Sequence, residues 1–217
     1  MLARFPTAHF VLAVFAMMLV VTASNILVQY PVQFTLGGLN LADILTWGAF
    51  TYPFAFLVSD LTNRHDGPVI ARRVVVIGFI IALALSFYLA TPRIAIASAL
   101  AFLFGQLLDI ALFQRMRTWN WYLPPFIGSF LGSLLDTIIF FSLALSPAFG
   151  WLDSLFGRED GSLPFPAPWL GFGPEVPLWT SLASGDFAVK LLAALVLLVP
   201  YRLFMGALQR RSGALPA

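Results

Sequence analysis

The sequence has no cysteine and only two histidines among its 217 residues. Without cysteine there is no disulfide framework, no thiol nucleophile and no thiolate ligand for a metal. His9 and His65 both fall near the ends of apolar segments, so we expect neither a histidine-based metal site nor a bound cofactor. These absences remove the residue types on which thiol enzymes and many metalloenzymes depend.

Charged residues are also scarce. They make up 10% of the chain, against roughly 25% in soluble domains, while 60% of the residues are hydrophobic and the mean hydropathy is +0.90. A soluble fold of this size cannot bury so much apolar surface, which places the chain in a lipid bilayer and excludes a soluble enzyme or a disordered tail. The twelve basic residues leave a net charge of only +2 and form no stripe, so nucleic acid is not an expected partner.

Six apolar stretches are each about 20 residues long, which is the length that a helix needs to cross a bilayer. They run over about residues 9–30, 41–61, 74–91, 94–113, 123–145 and 186–208. We therefore predict an all-α integral membrane protein in which residues 1–217 form one transmembrane domain of six helices. The longest connection, 146–185, is predicted to be an outer loop.

The distribution of basic residues predicts the orientation of these spans. Nine of the twelve fall on the side that holds both termini and two on the other: Arg4, Arg64, Arg72, Arg73, Arg115, Arg117, Arg202, Arg210 and Arg211 against Arg93 and Arg158. The remaining one, Lys190, lies inside a span. Since basic loops stay in the cytoplasm, both termini are predicted to be cytoplasmic.

Several polar side chains lie within the predicted spans, where a charge facing lipid would cost roughly 2.5–3.5 kcal/mol. They should therefore face the interior of the bundle or a cavity. The candidates for a binding site are Asp136, Asp109, Gln106, Asn25, Trp47 and Thr46. Each also has a structural explanation, such as a bond between helices or a local pairing of Asp109 with Arg115 or Arg117. Asp136 has no basic residue within two turns and is hardest to explain that way.

Two pairs of opposite charge are spaced four residues apart: Asp186 with Lys190, and Asp60 with Arg64. Residues at this spacing are neighbours on a helix. The first pair lies near the outer end of its span and the second near the inner end, so both are candidates for gating pairs. Capping or fixing a helix end is the structural alternative for each.

One pattern, G-x-L-L-D-x-x-x-F, occurs in two adjacent spans. It begins at Gly105 and again at Gly132. This repetition has two possible origins. One is an inverted or local duplication, and the other is chance similarity in a leucine-rich sequence. Its glycines would let neighbouring helices approach closely.

The type of cargo can be narrowed from the same residues. Polar groups at several depths suit a transporter better than an enzyme. The spans hold carboxylates, carboxamides and many aromatic rings but little fixed positive charge, which disfavours an anionic cargo. Aromatic rings stack on a flat heterocycle, and a carboxylate accepts two parallel N–H bonds. The residues alone lead to a small neutral or cationic solute.

The chain also carries a series of short motifs in a characteristic order. They are Ser24-Asn25 with Gln29; Leu45 to Phe54 (LTWGAFTYPF); Ser59-Asp60-Leu61-Thr62; Ala71-Arg72-Arg73; Arg93-Ile94-Ala95; Gly105-Gln106 with Asp109 and Phe113; Ser133 with Asp136-Thr137; and Asp186 with Lys190. With this order and spacing, from about Ser24 to Tyr201, the chain resembles the queuosine-precursor transporters of the vitamin uptake transporter group, integral inner-membrane proteins of bacteria.

The resemblance implies import of 7-cyano-7-deazaguanine and 7-aminomethyl-7-deazaguanine, the bases from which tRNA queuosine is made, and no enzymatic activity. It also implies a six-helix bundle similar to the substrate-binding components of energy-coupling-factor vitamin transporters. A 7-deazaguanine keeps the N1–H and 2-amino donors, which Asp136, or as second choice Asp109, would bind. Gln106 and Asn25 would bind the carbonyl and ring nitrogens, and Trp47, next to Thr46, or a phenylalanine would stack on the ring.

Two other functions stay open. The first is a substrate-binding subunit of a vitamin or nucleobase transporter whose ATPase is a partner protein, since the chain has no Walker motif. The second is a membrane-embedded enzyme that uses two aspartates as a carboxylate dyad. Proton coupling, facilitated diffusion and a homodimer are equally open, and lipid is the only other expected partner.

Overall fold

Long apolar helices make up most of the structure, which is a computed structural model describing residues 8–37, 39–157 and 166–212. The helices are α1 (Ala8–Leu27), α2 (Gly48–Thr51), α3 (Phe54–Asp66), α4 (Pro68–Leu89), α5 (Pro92–Arg115), α6 (Leu123–Leu145), α7 (Trp151–Phe156) and α8 (Leu178–Ser212). Two small antiparallel hairpins pair β1 (Thr35–Leu36) with β2 (Leu39–Asn40), and β3 (Pro166–Pro168) with β4 (Glu175–Pro177).

In the described part of the chain, five helices are long and apolar enough to cross a bilayer. They are α1, α4, α5, α6 and residues Leu178–Ala207 of α8. This agrees with the prediction of an all-α membrane protein, and α6 spans the predicted residues 123–145. The helices pack around an apolar core between α1, α3, α4 and α5 that includes Met17, Val74, Phe102 and Ile110.

The predicted helix over 41–61 is wrong, because this segment is broken into several pieces. A short 3-10 turn covers Leu41–Asp43. The chain then runs back beside the segment that follows α1. There the Val32 amide donates to the Leu45 carbonyl and the Trp47 amide donates to the Tyr30 carbonyl, both at 3.0 Å. Pro53 then separates α2 from α3, because proline has no amide hydrogen to continue the helical ladder.

The last helix begins at Leu178, eight residues before the predicted start at 186. Two serines in the added turns of this helix bind the neighbouring β3–β4 hairpin. Ser184 accepts a bond from the Trp169 indole at 3.0 Å, and Ser181 accepts one from the Leu170 amide at 2.9 Å. The predicted outer loop 146–185 is therefore shorter and holds α7 and this hairpin. Its residues 158–165 lie outside the described residues.

The repeated glycine motif lies where α5 and α6 cross. A Cβ atom on Gly105 would lie 2.9 Å from the Gly132 carbonyl oxygen and 3.0 Å from Cβ of Asp136. Conversely, a Cβ atom on Gly132 would lie 2.8 Å from the Gly105 carbonyl oxygen and 3.2 Å from Cβ of Asp109. Each glycine thus provides the space for the aspartate of the other helix. The motif's role here is close helix contact.

We expect Gly105→Ala and Gly132→Ala each to lower the free energy of unfolding by about 1–3 kcal/mol, because the added methyl group overpacks a backbone contact. Thermal unfolding of the detergent-solubilised protein measures this. Gly206→Ala is the matched control, since no atom lies within 4 Å of a Cβ atom there. Equal melting temperatures for the three variants would contradict the close contact.

Candidate functional site

A half-open cavity of about 260 Å³ lies at one end of the bundle. It is formed by the C-terminal halves of α1, α4 and α6 and the N-terminal halves of α5 and α8, together with the broken segment around residues 42–52. Since all of these halves line the same cavity, they lie at the same end of the bundle. The break in the second segment leaves a concave space that a straight helix would fill.

The floor of the cavity carries a buried charge cluster. The Lys190 ammonium donates to Oδ2 of Asp136 and to Oδ2 of Asp186, both at 2.5 Å, and lies 3.4 Å from Oγ1 of Thr137. The Tyr52 hydroxyl donates to Oδ1 of Asp136 at 2.6 Å, and its ring lies under the ammonium, 4.9 Å from the ring centre. All three donors of Lys190 and both oxygens of Asp136 are therefore engaged.

Asp186 differs from Asp136 in having an oxygen to spare. Its Oδ2 atom accepts from both Lys190 and Thr137, while among the described residues its Oδ1 atom has no hydrogen-bond donor. The side chain is 17% exposed, against 4% for Asp136, and it lines the cavity. Two carboxylates and one ammonium leave the cluster short of positive charge. The cavity floor can therefore accept further hydrogen bonds at Asp186.

Amide and hydroxyl groups line one wall. Asn25 holds its orientation by donating to the Val21 carbonyl at 3.0 Å and accepting from the Ser86 hydroxyl at 2.5 Å. Gln29 and Thr46 also line the cavity. These groups lie on α1, α4 and the broken segment, across the cavity from the charge cluster on α6 and α8.

Aromatic rings form the rest of the wall. Tyr52, Phe102, Phe140 and Phe141 all line the cavity. The rings of Phe140 and Phe141 meet edge to face at a centroid distance of 5.0 Å. Trp47 does not line it: its side chain is half exposed, with its ring 5.8 Å from that of Phe50. A flat, apolar ligand would thus meet phenylalanine and tyrosine rings.

Two other candidates lie outside the cavity. Gln106 and Asp109 are completely buried on α5, where Asp109 packs against Asp60 of α3. The predicted pairing of Asp60 with Arg64 does not form among the described residues. Arg64 instead donates to the Arg117 carbonyl and Arg117 to the Arg64 carbonyl, both at 2.8 Å, because each guanidinium group reaches a backbone acceptor of the other's segment, at the end of α3 or just after α5.

Comparison with known proteins identifies the family. A family described as "Putative vitamin uptake transporter" matches residues 46–91 and 85–204. The chain belongs to this family. An Escherichia coli (strain K12) relative named "Queuosine precursor transporter" is 31% identical over 89% of this chain and 85% of its own length. A Haemophilus influenzae relative named "Probable queuosine precursor transporter" is 32% identical over 83% of this chain and 79% of its own length.

No solved structure matches the chain. Membership of the vitamin uptake transporter family and the five apolar helices make the chain a multi-pass membrane protein that transports rather than catalyses. The resemblance drawn from the motifs is confirmed by these matches, which cover most of the chain.

Within this vitamin uptake transporter, sequence reasoning missed several residues of the cavity. Tyr52 and Thr137 stand in the quoted motifs, but neither was assigned to the site, and both contact the charge cluster directly. Ser86 was also missed, although a serine in the middle of an apolar helix is a visible signal. Phe140 ends the second copy of the repeated glycine motif but was not assigned to the site, and Phe141 carries no signal among 22 phenylalanines.

The two histidines meet on the opposite side of the molecule from the cavity. The Nδ1 atoms of His9 and His65 are 3.1 Å apart, and Oδ1 of Asp66 lies 3.0 Å from Nδ1 of His65. The three ligand atoms all lie within 4.8 Å of one another and could hold a metal ion. The sequence did not predict this cluster, because His9 is 56 residues away from His65 along the chain.

Proposed function

We propose that the chain imports 7-cyano-7-deazaguanine and 7-aminomethyl-7-deazaguanine across the bacterial inner membrane for the synthesis of tRNA queuosine. The relatives named above support the cargo class. The observation that carries the proposal is the carboxylate-rich cluster of Asp136, Asp186 and Lys190 at the floor of an aromatic-walled cavity.

The cluster suits the polar edge of a deazaguanine. The free Oδ1 atom of Asp186 accepts from the N1–H and 2-amino donors, in bonds strengthened by its charge. Asp136 and Thr137 hold Lys190 and Asp186 in place for this contact. Asn25 binds the polar atoms on the opposite edge of the base, and a phenylalanine ring packs on the face of the base. Asp109, Gln106 and Trp47 have no direct part in this arrangement.

The same proposal includes the topology. Residues 39–66 form a sixth, broken pass beside the five long helices, so that both termini share one side. The excess of basic residues puts that side in the cytoplasm, and the cavity then opens to the outside. In this arrangement residues 1–217 form a single transporter domain. The likeness to energy-coupling-factor components stays a prediction.

The test is rescue of bacteria that cannot make the deazaguanine base. Cells that express the chain are fed graded amounts of 7-cyano-7-deazaguanine, and queuosine in tRNA is measured. We expect the wild type to rescue and Asp186→Asn to need about 10–100 times more base, since a hydrogen bond to a charged group contributes about 1.5–3 kcal/mol. Glu175→Gln, an exposed carboxylate on β4, is the matched control and should rescue normally.

Three other results have distinct meanings. Failure of the wild type to rescue while present in the membrane would overturn the proposed cargo. Rescue only when a partner ATPase is co-expressed would instead identify a substrate-binding subunit. Equal rescue by wild type and Asp186→Asn would keep the cargo and remove Asp186 from the site.

A further inference from the structure

A second buried acidic group lies deeper in the bundle than the cavity. Asp60 on α3 and Asp109 on α5 are 3% and 0% exposed, and their carboxyl groups are within hydrogen-bonding reach of each other. Oδ2 of Asp109 lies 3.4 Å from the Ser59 hydroxyl, and Oδ2 of Asp60 lies 3.5 Å from that of Ser129. Among the described residues, the Oδ1 atom of each has no hydrogen-bond partner.

Among the described residues, no cation neutralises this pair. The described residues contain no ion pair to Asp60 or Asp109, and the nearby Arg64 and Arg117 are bound to each other's carbonyl oxygens. Two adjacent carboxyl groups in an apolar interior do not both ionise, because each negative charge raises the cost of the other. A single proton between them removes one charge and supplies the missing donor.

An independent observation connects this pair to the transport site. The residues that line a second cavity of about 20 Å³ include Asp60, Ser129, Ser133 and Lys190. That volume is about what one water molecule requires. The cavity thus borders Asp60 of the buried pair and Lys190 of the charge cluster under the cargo cavity. A single water there would link the two.

Gln106 supports the same interpretation. It is completely buried one turn before Asp109 on α5, and among the described residues neither its amide nitrogen nor its oxygen has a partner. Buried polar groups are rarely left unpaired. An unpaired amide on the same helix as Asp109 indicates that this part of the interior has hydrogen-bonding capacity left for water.

We propose that Asp60 and Asp109 form a proton-binding site that couples cargo import to proton entry. This rests on the proposed function. Loading forms one O–H bond on the pair and breaks one O–H bond of a hydronium ion that enters past Lys190. Release breaks the O–H bond on the pair and transfers the proton to water on the side where α3 ends, when that water reaches the pair and solvates the second negative charge. One proton crosses, and no other bond changes.

The packing favours a proton over a metal cation such as sodium. Asp109 already lies against the backbone of Gly128 and Gly132, with no space for a Cβ atom at either glycine. A hydrated ion would not fit in the neighbouring cavity of about 20 Å³. A proton shared between two touching carboxyl groups needs no further volume.

The other titratable groups near the pair lie on three parts of the chain. Tyr201 and Lys190 face it from α8. Arg64 at the end of α3 and Arg117 after α5 lie near Tyr201 on the same side. Lys190 is held by two carboxylates and the arginines by carbonyls. Of the titratable groups in this part of the described structure, the pair of Asp60 and Asp109 is therefore the one that can gain and lose a proton.

Infrared spectroscopy tests the proton directly, without cargo. Wild-type protein at neutral pH should show the carbonyl stretch of a protonated carboxyl group, and the double variant Asp60→Asn/Asp109→Asn should lose it. Glu175→Gln should keep it. Absence of this band from the wild type would overturn the proposal, and this holds even if a variant fails to fold. Retention of the full band in the double variant would also overturn it.

Transport in proteoliposomes tests the coupling. Exchange of labelled 7-cyano-7-deazaguanine without a gradient measures the proposed function alone. With the membrane voltage clamped, a gradient of one pH unit, acid outside, should sustain about tenfold accumulation at one proton per base. Asp60→Asn should accumulate no base above equilibrium yet retain exchange. Exchange without any effect of pH, or with dependence on sodium instead, would overturn the proton site but not the cargo; absent exchange would overturn the cargo.

Discussion

Lys190→Met is expected to reduce import per molecule in the membrane by roughly 100-fold or more. The ammonium is the cation between Asp136 and Asp186, at 2.5 Å from each. Removing one partner of a buried ion pair costs about 3–5 kcal/mol, because the remaining charge is left without compensation. Here two carboxylates would be left, and both would lose the geometry in which they face the cargo. The initial rate of 7-cyano-7-deazaguanine uptake measures the effect.

Two control variants separate charge loss from unfolding. Arg202→Ala removes a cation from the same helix, where Arg202 contacts only the Trp121 ring in the described structure, 4.9 Å from the ring centre. It should change uptake little, since an exposed cation–π contact contributes about 0.5–1 kcal/mol. Combining Lys190→Met with Asp136→Asn and Asp186→Asn should restore membrane levels but not import. Normal import by Lys190→Met would show that the cluster is not the transport site.

Arg93→Met should lower the free energy of unfolding by about 3–5 kcal/mol. The guanidinium is 3% exposed and makes three bonds at the start of α5. It donates to the Leu143 carbonyl at 2.7 Å, to Asp153 at 2.6 Å and to the Ser146 carbonyl at 2.5 Å. The side chain thereby ties α5 to the end of α6 and to α7. Equilibrium unfolding in detergent measures the loss.

The shape of the guanidinium makes this prediction specific. Arg93→Lys should recover little, because a single ammonium cannot reach three acceptors in a planar fork. Arg93→Met combined with Asp153→Ala should be more stable than Arg93→Met alone, since no buried carboxylate is left unpaired. Arg73→Ala, at an exposed position on α4, is the control. Similar stabilities for Arg93→Met and Arg73→Ala would contradict this role.

Local composition was enough to predict most of the helices. A long apolar stretch must satisfy its backbone hydrogen bonds internally in lipid, so it becomes helical whatever surrounds it. This is why α6 spans its predicted residues and α5 differs from prediction by two residues at each end. The contact between Asp186 and Lys190 was also predictable, since residues four apart on one helix are neighbours.

Contacts between distant residues were not predictable in this way. The segment 41–61 is also an apolar stretch of about 20 residues, yet its backbone pairs with residues 30–32 and breaks at Pro53. Asp136 joins Lys190 from another helix, 54 residues away. Asp109, the second choice after Asp136 in the sequence analysis, instead packs against Asp60 outside the cavity. Which of these polar side chains meet depends on how each helix is rotated about its own axis.

The sequence by itself thus determined the membrane location, the family and the approximate helix limits, because these depend on local apolarity and on motif order. Tertiary structure alone decided which polar groups share a cavity, which pair is buried beneath it and where the second segment breaks. The physical reason is that a helix satisfies its own backbone in lipid, whereas a buried polar side chain has to find its partner on another helix.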